Sequence, residues 1–345
     1  MIQVKNVWKI FGDQPLVALE AIKSKKLSKA EVLEQYNCVV GVADVSLDVK
    51  EGEIFCIMGL SGSGKSTLVR HFNRLLEPTS GEIIIDGTNV MNLMNRDLQK
   101  FRNERIGMVF QNFALMPHRS VLDNVAMPLE IRGIGKNERQ QQASEVLEIV
   151  ELGAWGNKFA HELSGGMQQR VGLARAISAN PDVLLMDEPF SALDPLIRRQ
   201  LQDEFIKLSK KLKKTTVFIT HDLDEAVRIG DRIAIMKDGV VDQIGTAEEI
   251  VMSPATHYVA DFVAGISRLK VVKANAVMQP LPKAAEFDLE TTQMAKIEYD
   301  ATLTDIINLS IKTVSDIVVT QADHAVGVIN SSDILRTVIE GTETS

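Results

Sequence analysis

Between Glu53 and Glu77 the chain reads EIFCIMGLSGSGKSTLVRHFNRLLE, and this stretch leaves the surrounding fold little freedom. Ile54 to Met58 form a short apolar run of the kind a buried parallel strand carries, and Leu68 to Leu76 place apolar residues at helical spacing. Between them Gly59, Leu60, Ser61, Gly62, Ser63, Gly64, Lys65 and Ser66 fit the P-loop pattern Gly-x-x-x-x-Gly-Lys-Ser, with Thr67 following. Its glycines let backbone N–H groups turn inward around an anion, and the helix behind points its positive end at the same spot. Lys65 would neutralise terminal phosphates as a point charge, and the Ser66 hydroxyl would hold Mg²⁺. Such a run can also be a flexible Gly/Ser loop. The strand before it and the helix after it favour the phosphate cradle.

The other candidate groups fall at strand ends. Val183 to Met186 read as a buried strand ending in Asp187-Glu188-Pro189, two carboxylates where a phosphate site needs one to hold Mg²⁺ and one to orient or deprotonate water. Thr216 to Thr220 repeat the pattern and end at His221. Alone, the carboxylates suit a solvated strand end and the histidine a structural role. In open α/β sheets, however, ligands bind beyond the carboxyl ends of the strands, so the P-loop, Asp187-Glu188 and His221 are expected to converge on one crevice. Arg105 to Gln111 is a strand ending in an amide, and Pro117 and Pro128 are expected to break the chain around an exposed docking surface. Leu163 to Arg170, LSGGMQQR, reads by itself as the capped start of a helix.

Charge and length limit the partners. The formal net charge of -8 argues against a general nucleic-acid binder, so any phosphate site must be local. A chain of 345 residues suggests two domains. Cys38 and Cys56 are too few for a disulfide framework and fit a reducing compartment. The opening MIQVKNVWKIFGDQ lacks an apolar signal core, and no stretch reaches the ~18 consecutive apolar residues of a membrane span. A role at a membrane would therefore need another chain to cross it.

Taken in order, these residues resemble the ATP-binding subunits of ABC transporters: Walker A at Gly59 to Thr67, the Q-loop glutamine Gln111, and the signature at Leu163 to Arg170. Walker B follows at Val183 to Glu188, the D-loop at Ser191 to Asp194 and the switch histidine at His221. The resemblance covers residues 1 to 265 and implies an α/β P-loop NTPase domain, a RecA-like core plus a helical subdomain. It also implies a head-to-tail homodimer in which one chain's P-loop and the other's Ser164, Gly165 and Gly166 sandwich ATP. Within it, Ser66, Gln111 and Asp187 would surround Mg²⁺ directly or through water. Glu188 would activate the attacking water, His221 would contact the γ-phosphate, and Asp194 would link the two sites. Phe11 aligns with an aromatic that stacks on adenine.

Residues 13 to 40 form an insertion with helical character, since Ser28 and Glu31 make a capping box ahead of Val32, Leu33 and Tyr36. With GVADVSL and FQNFALMPHRSVLDN, it resembles the subgroup importing glycine betaine, proline betaine, choline and related osmolytes; trimethylamine N-oxide or carnitine are alternatives. That subgroup works with integral-membrane permease subunits and a periplasmic or extracellular binding protein, and would sit peripherally on the cytoplasmic face of the membrane. A non-transport ABC ATPase would carry two cassettes or a long coiled coil, and this chain shows one cassette and no sustained heptads. Residues 266 to 345 form a second domain whose helix–strand–turn–strand–helix pattern resembles one cystathionine-β-synthase-type (CBS) repeat, with at best a degraded partner between Leu269 and Ala295. From Ile266 onward seven basic residues face eleven acidic ones, favouring a dimerising or vestigial tail over an anionic-lipid sensor.

Overall fold

The computed structural model describes residues 1–281, 294–313 and 315–339. Two compact units result, Met1–Ile244 and Gly245–Ser345, so that residues 245–265 cluster with the second unit rather than the first.

The first unit opens with β1 (Ile2–Phe11). The expected insertion is two helices, α1 (Pro15–Lys25) and α2 (Lys29–Tyr36), before β2 (Val39–Val49) returns antiparallel to β1. At α2 the capping box forms as read: Ser28 Oγ accepts from Glu31 N–H, and the Glu31 carboxylate accepts from Ser28 N–H at 2.7 Å. The insertion closes a small core in which Ala18, Leu19 and Val32 pack with Trp8, Ile10 and Val40.

β3 (Ile54–Met58) is buried at all five positions. Sealing each large apolar side chain from water contributes on the order of 2 kcal/mol, which fixes this strand at the centre of the unit. α3 (Lys65–Phe72) stops short of Leu76. Its continuation turns back, with Leu76 N–H donating to Arg70 and His71 Nδ1 lying 2.6 Å from the Leu76 carbonyl. β4 (Ser80–Ile85) and β5 (Thr88–Asn89) complete an antiparallel sheet of order β2-β1-β4-β5.

α4 (Asn95–Arg105) leads into β6 (Ile106–Val109), and α5 (Val121–Ile131) follows. Pro128 does not break the chain as expected; it lies inside α5, capped at its start by Ser120. Proline in a helix interior costs about 3 kcal/mol. Burial of Val125, Ala126 and Leu129 around it offsets that loss. α6 (Lys136–Ile149) and α7 (Gly165–Ser178) pack with α5 into a helical layer around Val125, Leu147 and Val171. β7 (Val183–Asp187), α8 (Pro195–Leu212), β8 (Thr215–Thr220), α9 (Leu223–Ile229), β9 (Arg232–Lys237) and β10 (Val240–Gly245) finish the unit.

The six-stranded sheet runs β10-β9-β3-β8-β7-β6, with β3, β6, β7, β8 and β9 parallel. Met58 pairs with Thr220, Asp187 with Ile219 and Val109 with Met186. One edge of the sheet therefore releases the P-loop, Glu188, His221 and the Gln111 segment together.

The second unit holds α10 (Ala247–Met252), α11 (His257–Val263), α12 (Arg268–Val271), α13 (Ala274–Val277), β11 (Gln279–Pro280) and β12 (Ala295–Glu298). Then come α14 (Leu303–Ser310), β13 (Ile317–Gln321), β14 (His324–Ile329) and α15 (Ser331–Ile339), in the order read from the sequence. Its sheet is β11-β14-β13-β12, over a core that includes Val272, Leu303, Ile317 and Ile329. Much of the stretch expected to hold a degraded partner repeat lies outside the described residues.

Candidate active site

The P-loop wraps back on itself between β3 and α3. Gly59 has φ +151 and a Cβ there would meet the Met236 carbonyl at 2.1 Å; at Gly64, φ +98, a Cβ would meet the Gly41 carbonyl at 2.4 Å. Only glycine fits either place. Leu60, Ser61 and Gly62 form the exposed rim, Ser63 is buried, and Ser66 and Thr67 lie half-buried in the first turn of α3.

Lys65 is buried beneath the rim and donates to the carbonyls of Gly59 at 2.7 Å and Leu60 at 3.0 Å. Burial pushes its ammonium pKa down, with Glu188 and Asp187 opposing the shift. A cation so placed is held by two carbonyls and, at 3.5 Å, by the Ser63 hydroxyl, all neutral groups, and is available to an anion entering the loop.

Ser66 Oγ donates to Asp187 Oδ1 at 2.8 Å, and Arg70 stands 3.6 Å from the other carboxylate oxygen. Next along the chain Glu188 adopts φ +46, its N–H donating to the Ile219 carbonyl at 3.1 Å. That turn lifts its carboxylate off the sheet edge, where Oε2 meets His221 Nδ1 at 3.0 Å. Asp187, Glu188, Lys65, Ser66 and His221 are thus brought together as the strand ends implied.

Gln111 leaves the same edge after β6 and is exposed. Phe11, at the end of β1, is 40% exposed, and its ring covers Gly41, where a Cβ would meet Phe11 Cε2 at 2.7 Å. Since Gly41 also abuts Gly64, the ring stands beside the P-loop wall. Asp194 is exposed and caps α8, accepting from Ile197 N–H at 3.1 Å. Ser164 caps α7, and Gly165 and Gly166 pack against Leu193 and Ile197. Among the described residues no contact joins Ser164, Gly165 or Gly166 to the P-loop of the same chain.

Two arginines escaped sequence reading. Arg175 is buried on α7 and donates to the Phe113 carbonyl at 2.9 Å and the Ala114 carbonyl at 2.5 Å, both residues having positive φ. Arg198 donates to the Leu193 carbonyl at 3.0 Å and lies 3.6 Å from Asp222, the residue after His221. In the sequence both are ordinary helical arginines, and no motif separates them from solvated ones.

A parallel sheet that releases a P-loop lysine, a Ser–Asp pair and a Glu–His pair at one edge defines a P-loop nucleotide hydrolase. Known proteins agree. The sequence pattern of the family described as "ABC transporter" matches residues 42–191. Over 281 residues the chain is 53% identical to the glycine betaine/proline betaine transport system ATP-binding protein ProV of Salmonella typhimurium, covering 81% of this chain and 70% of that one. It is 44% identical over 338 residues to the trimethylamine N-oxide transport system ATP-binding protein TmoW of Pelagibacter ubique, 98% of this chain and 97% of the other. The dimeric post-hydrolysis structure of the ATP-binding cassette MJ0796, bound to ADP and Pi, superposes with TM-score 0.60 at 35% identity, covering 72% of this chain and 99% of that one.

The chain belongs to the family of ABC transporter ATP-binding proteins. It is an ATP-hydrolysing subunit whose turnover is coupled to transport. Among the described residues no helix is long and apolar enough to cross a membrane.

Proposed function

We propose that this subunit powers uptake of a small methylated amine, glycine betaine or choline in the first reading, through integral-membrane permease subunits fed by an extracytoplasmic binding protein. The 53% identity to ProV over 81% of the chain carries that reading. Trimethylamine N-oxide is the second, favoured by the match to TmoW along 98% of the chain. The subunit would lie peripherally on the cytoplasmic face. A groove of 270 Å³ lined by Met108, Phe110, Met127, Pro128, Ile131 and Arg175 borders the Asn112–Pro128 segment, and we assign it to the permease.

In the chemistry we assign, Lys65 and the loop amides hold the phosphates and Phe11 stacks on adenine. The hydroxyl of Ser66 and the carboxylate of Asp187, already paired at 2.8 Å, are hard oxygen donors that fit Mg²⁺, with Gln111 reaching it directly or through water. When bound, Mg²⁺ supplies charge neutralisation at the phosphate oxygens. Glu188 orients the attacking water and takes its proton as the water oxygen bonds to the γ-phosphorus and ADP departs, while His221 holds the γ-phosphate. The second copy of a homodimer presents Ser164, Gly165 and Gly166 across the nucleotide, and Asp194 joins the two sites. The second unit we read as a single CBS-type repeat, supported by its order α14-β13-β14-α15.

Reconstitution with the co-purified permease and binding protein in proteoliposomes tests this. ATP-dependent accumulation of labelled glycine betaine, choline or trimethylamine N-oxide names the substrate. Glu188-dependent hydrolysis with none of them accumulated would discard the methylated-amine reading and leave the motor standing.

A further inference from the structure

From the insertion between Phe11 and Val39, Lys29 reaches the two segments that back the nucleotide loop. Lys29 is the first residue of α2, and the Ser28–Glu31 capping box fixes the turn that carries it. Its ammonium donates to the Val40 carbonyl at 3.2 Å and to the Asp238 carbonyl, and the Asp238 carboxylate supports its charge. Asp238 and Gly239 form the turn between β9 and β10. Gly239 N–H donates to the Ser63 carbonyl at 2.9 Å, and its own carbonyl accepts from Ala43 N–H at 2.8 Å. A Cβ on Gly64 would meet the Gly41 carbonyl at 2.4 Å and Gly239 Cα at 3.3 Å. The outer wall of the P-loop is therefore built from β2 around Gly41 and from the 238–239 turn, and Lys29 binds one carbonyl in each.

We infer that Lys29 is a positioning residue for nucleotide binding: it clamps the 238–239 turn to β2, and so holds Ser63 and Gly64 in the geometry that receives phosphate. The inference rests on the P-loop assignment. Neutral backbone carbonyls bonded to a charged donor are strong, directional contacts, and this clamp does not touch the reacting atoms. Its loss therefore loosens the loop before nucleotide arrives and leaves the Glu188–His221 geometry unchanged. Sequence reading placed the insertion and its cap but gave Lys29 no role, because its two acceptors lie 11 and 209 residues away.

The test compares Lys29→Met, Lys29→Arg and Lys65→Ala in the full-length protein, following a fluorescent ATP analogue by titration, steady-state ATPase kinetics and thermal melting. Lys29→Met is expected to raise both the dissociation constant and KM about five- to tenfold, up to about 1.4 kcal/mol, with kcat within about twofold. Lys29→Arg restores most of the affinity. Lys65→Ala abolishes tight binding independently, and retained binding in that variant would instead sink the P-loop assignment. Unchanged affinity in Lys29→Met overturns the inference, as does a parallel fall in kcat and melting temperature with no recovery by arginine, which marks Lys29 as a general fold residue.

Discussion

His221 Nδ1 stands 3.0 Å from Glu188 Oε2, although 33 residues separate them in the chain. The register of β7 on β8, with Asp187 opposite Ile219, brings them together. His221 is 57% exposed at its side chain and Glu188 only 17%, so the histidine faces outward while the carboxylate is sheltered behind it. An outward imidazole hydrogen-bonded to a sheltered carboxylate is suited to report an arriving phosphate to the group we propose as base.

Glu188→Gln keeps the shape of the side chain and removes its basicity. ATP binding is expected to persist while kcat falls by about 10²- to 10⁴-fold, and size-exclusion chromatography with ATP should find the dimer trapped. Undiminished hydrolysis in single-turnover assays would rule out Glu188 as the base.

Arg198→Ala frees the Leu193 carbonyl and the Asp222 carboxylate at once. Because these flank Asp194 and His221, turnover should drop about tenfold with nucleotide affinity nearly unaltered. Stopped-flow binding beside steady-state rates separates the two; a loss confined to affinity contradicts the assignment.

His71 is buried, and burial pulls its pKa from 6.5 to about 4, against the pull of the Leu76 carbonyl. Between those values the unfolded chain binds a proton that the native protein refuses, so stability rises with pH. Its share is complete above pH 6.5 and is lost as pH falls toward 4, up to about 3 kcal/mol. Urea denaturation at pH 7 and pH 5 should show a smaller pH difference in His71→Gln than in the unaltered protein. Equal differences would place the proton uptake elsewhere.

Arg175→Met removes both donors to the Phe113 and Ala114 carbonyls. Hydrogen bonds to a charged group are worth about 1.5–3 kcal/mol each, although methionine recovers some packing. A net loss of about 2 kcal/mol in chemical denaturation is expected, with hydrogen exchange rising first in residues 111–116. Protection there equal to the unaltered protein would deny Arg175 this role.

What the sequence made legible was governed by short-range chemistry. The apolar run Ile54–Met58, the glycines of the P-loop and the Ser28–Glu31 cap each act within a few residues, and each appears where it was read. Pro128 misled because its local cost is outweighed by burial that only the packed α5–α7 layer supplies. The apolar spacing up to Leu76 continued past the end of α3 because the turn back to Arg70 and His71 is a tertiary choice. Arg175, Arg198 and Lys29 stayed invisible for a related reason. The hydrogen bonds they donate go to backbone carbonyls, which every residue has and no motif advertises.

Glu188 stands with φ +46, a conformation that a glycine would adopt without cost and a glutamate holds at about 1 kcal/mol. Selection for the carboxylate is therefore opposed by selection for a relaxed backbone. Glu188→Gly is therefore expected to melt no lower than the unaltered protein in a thermal scan while its hydrolysis falls at least as far as in Glu188→Gln. If Glu188 is the base and the permease the partner, as we propose, such a change would make a durable competitor for docking, and a mixed population would lose transport faster than it loses protein.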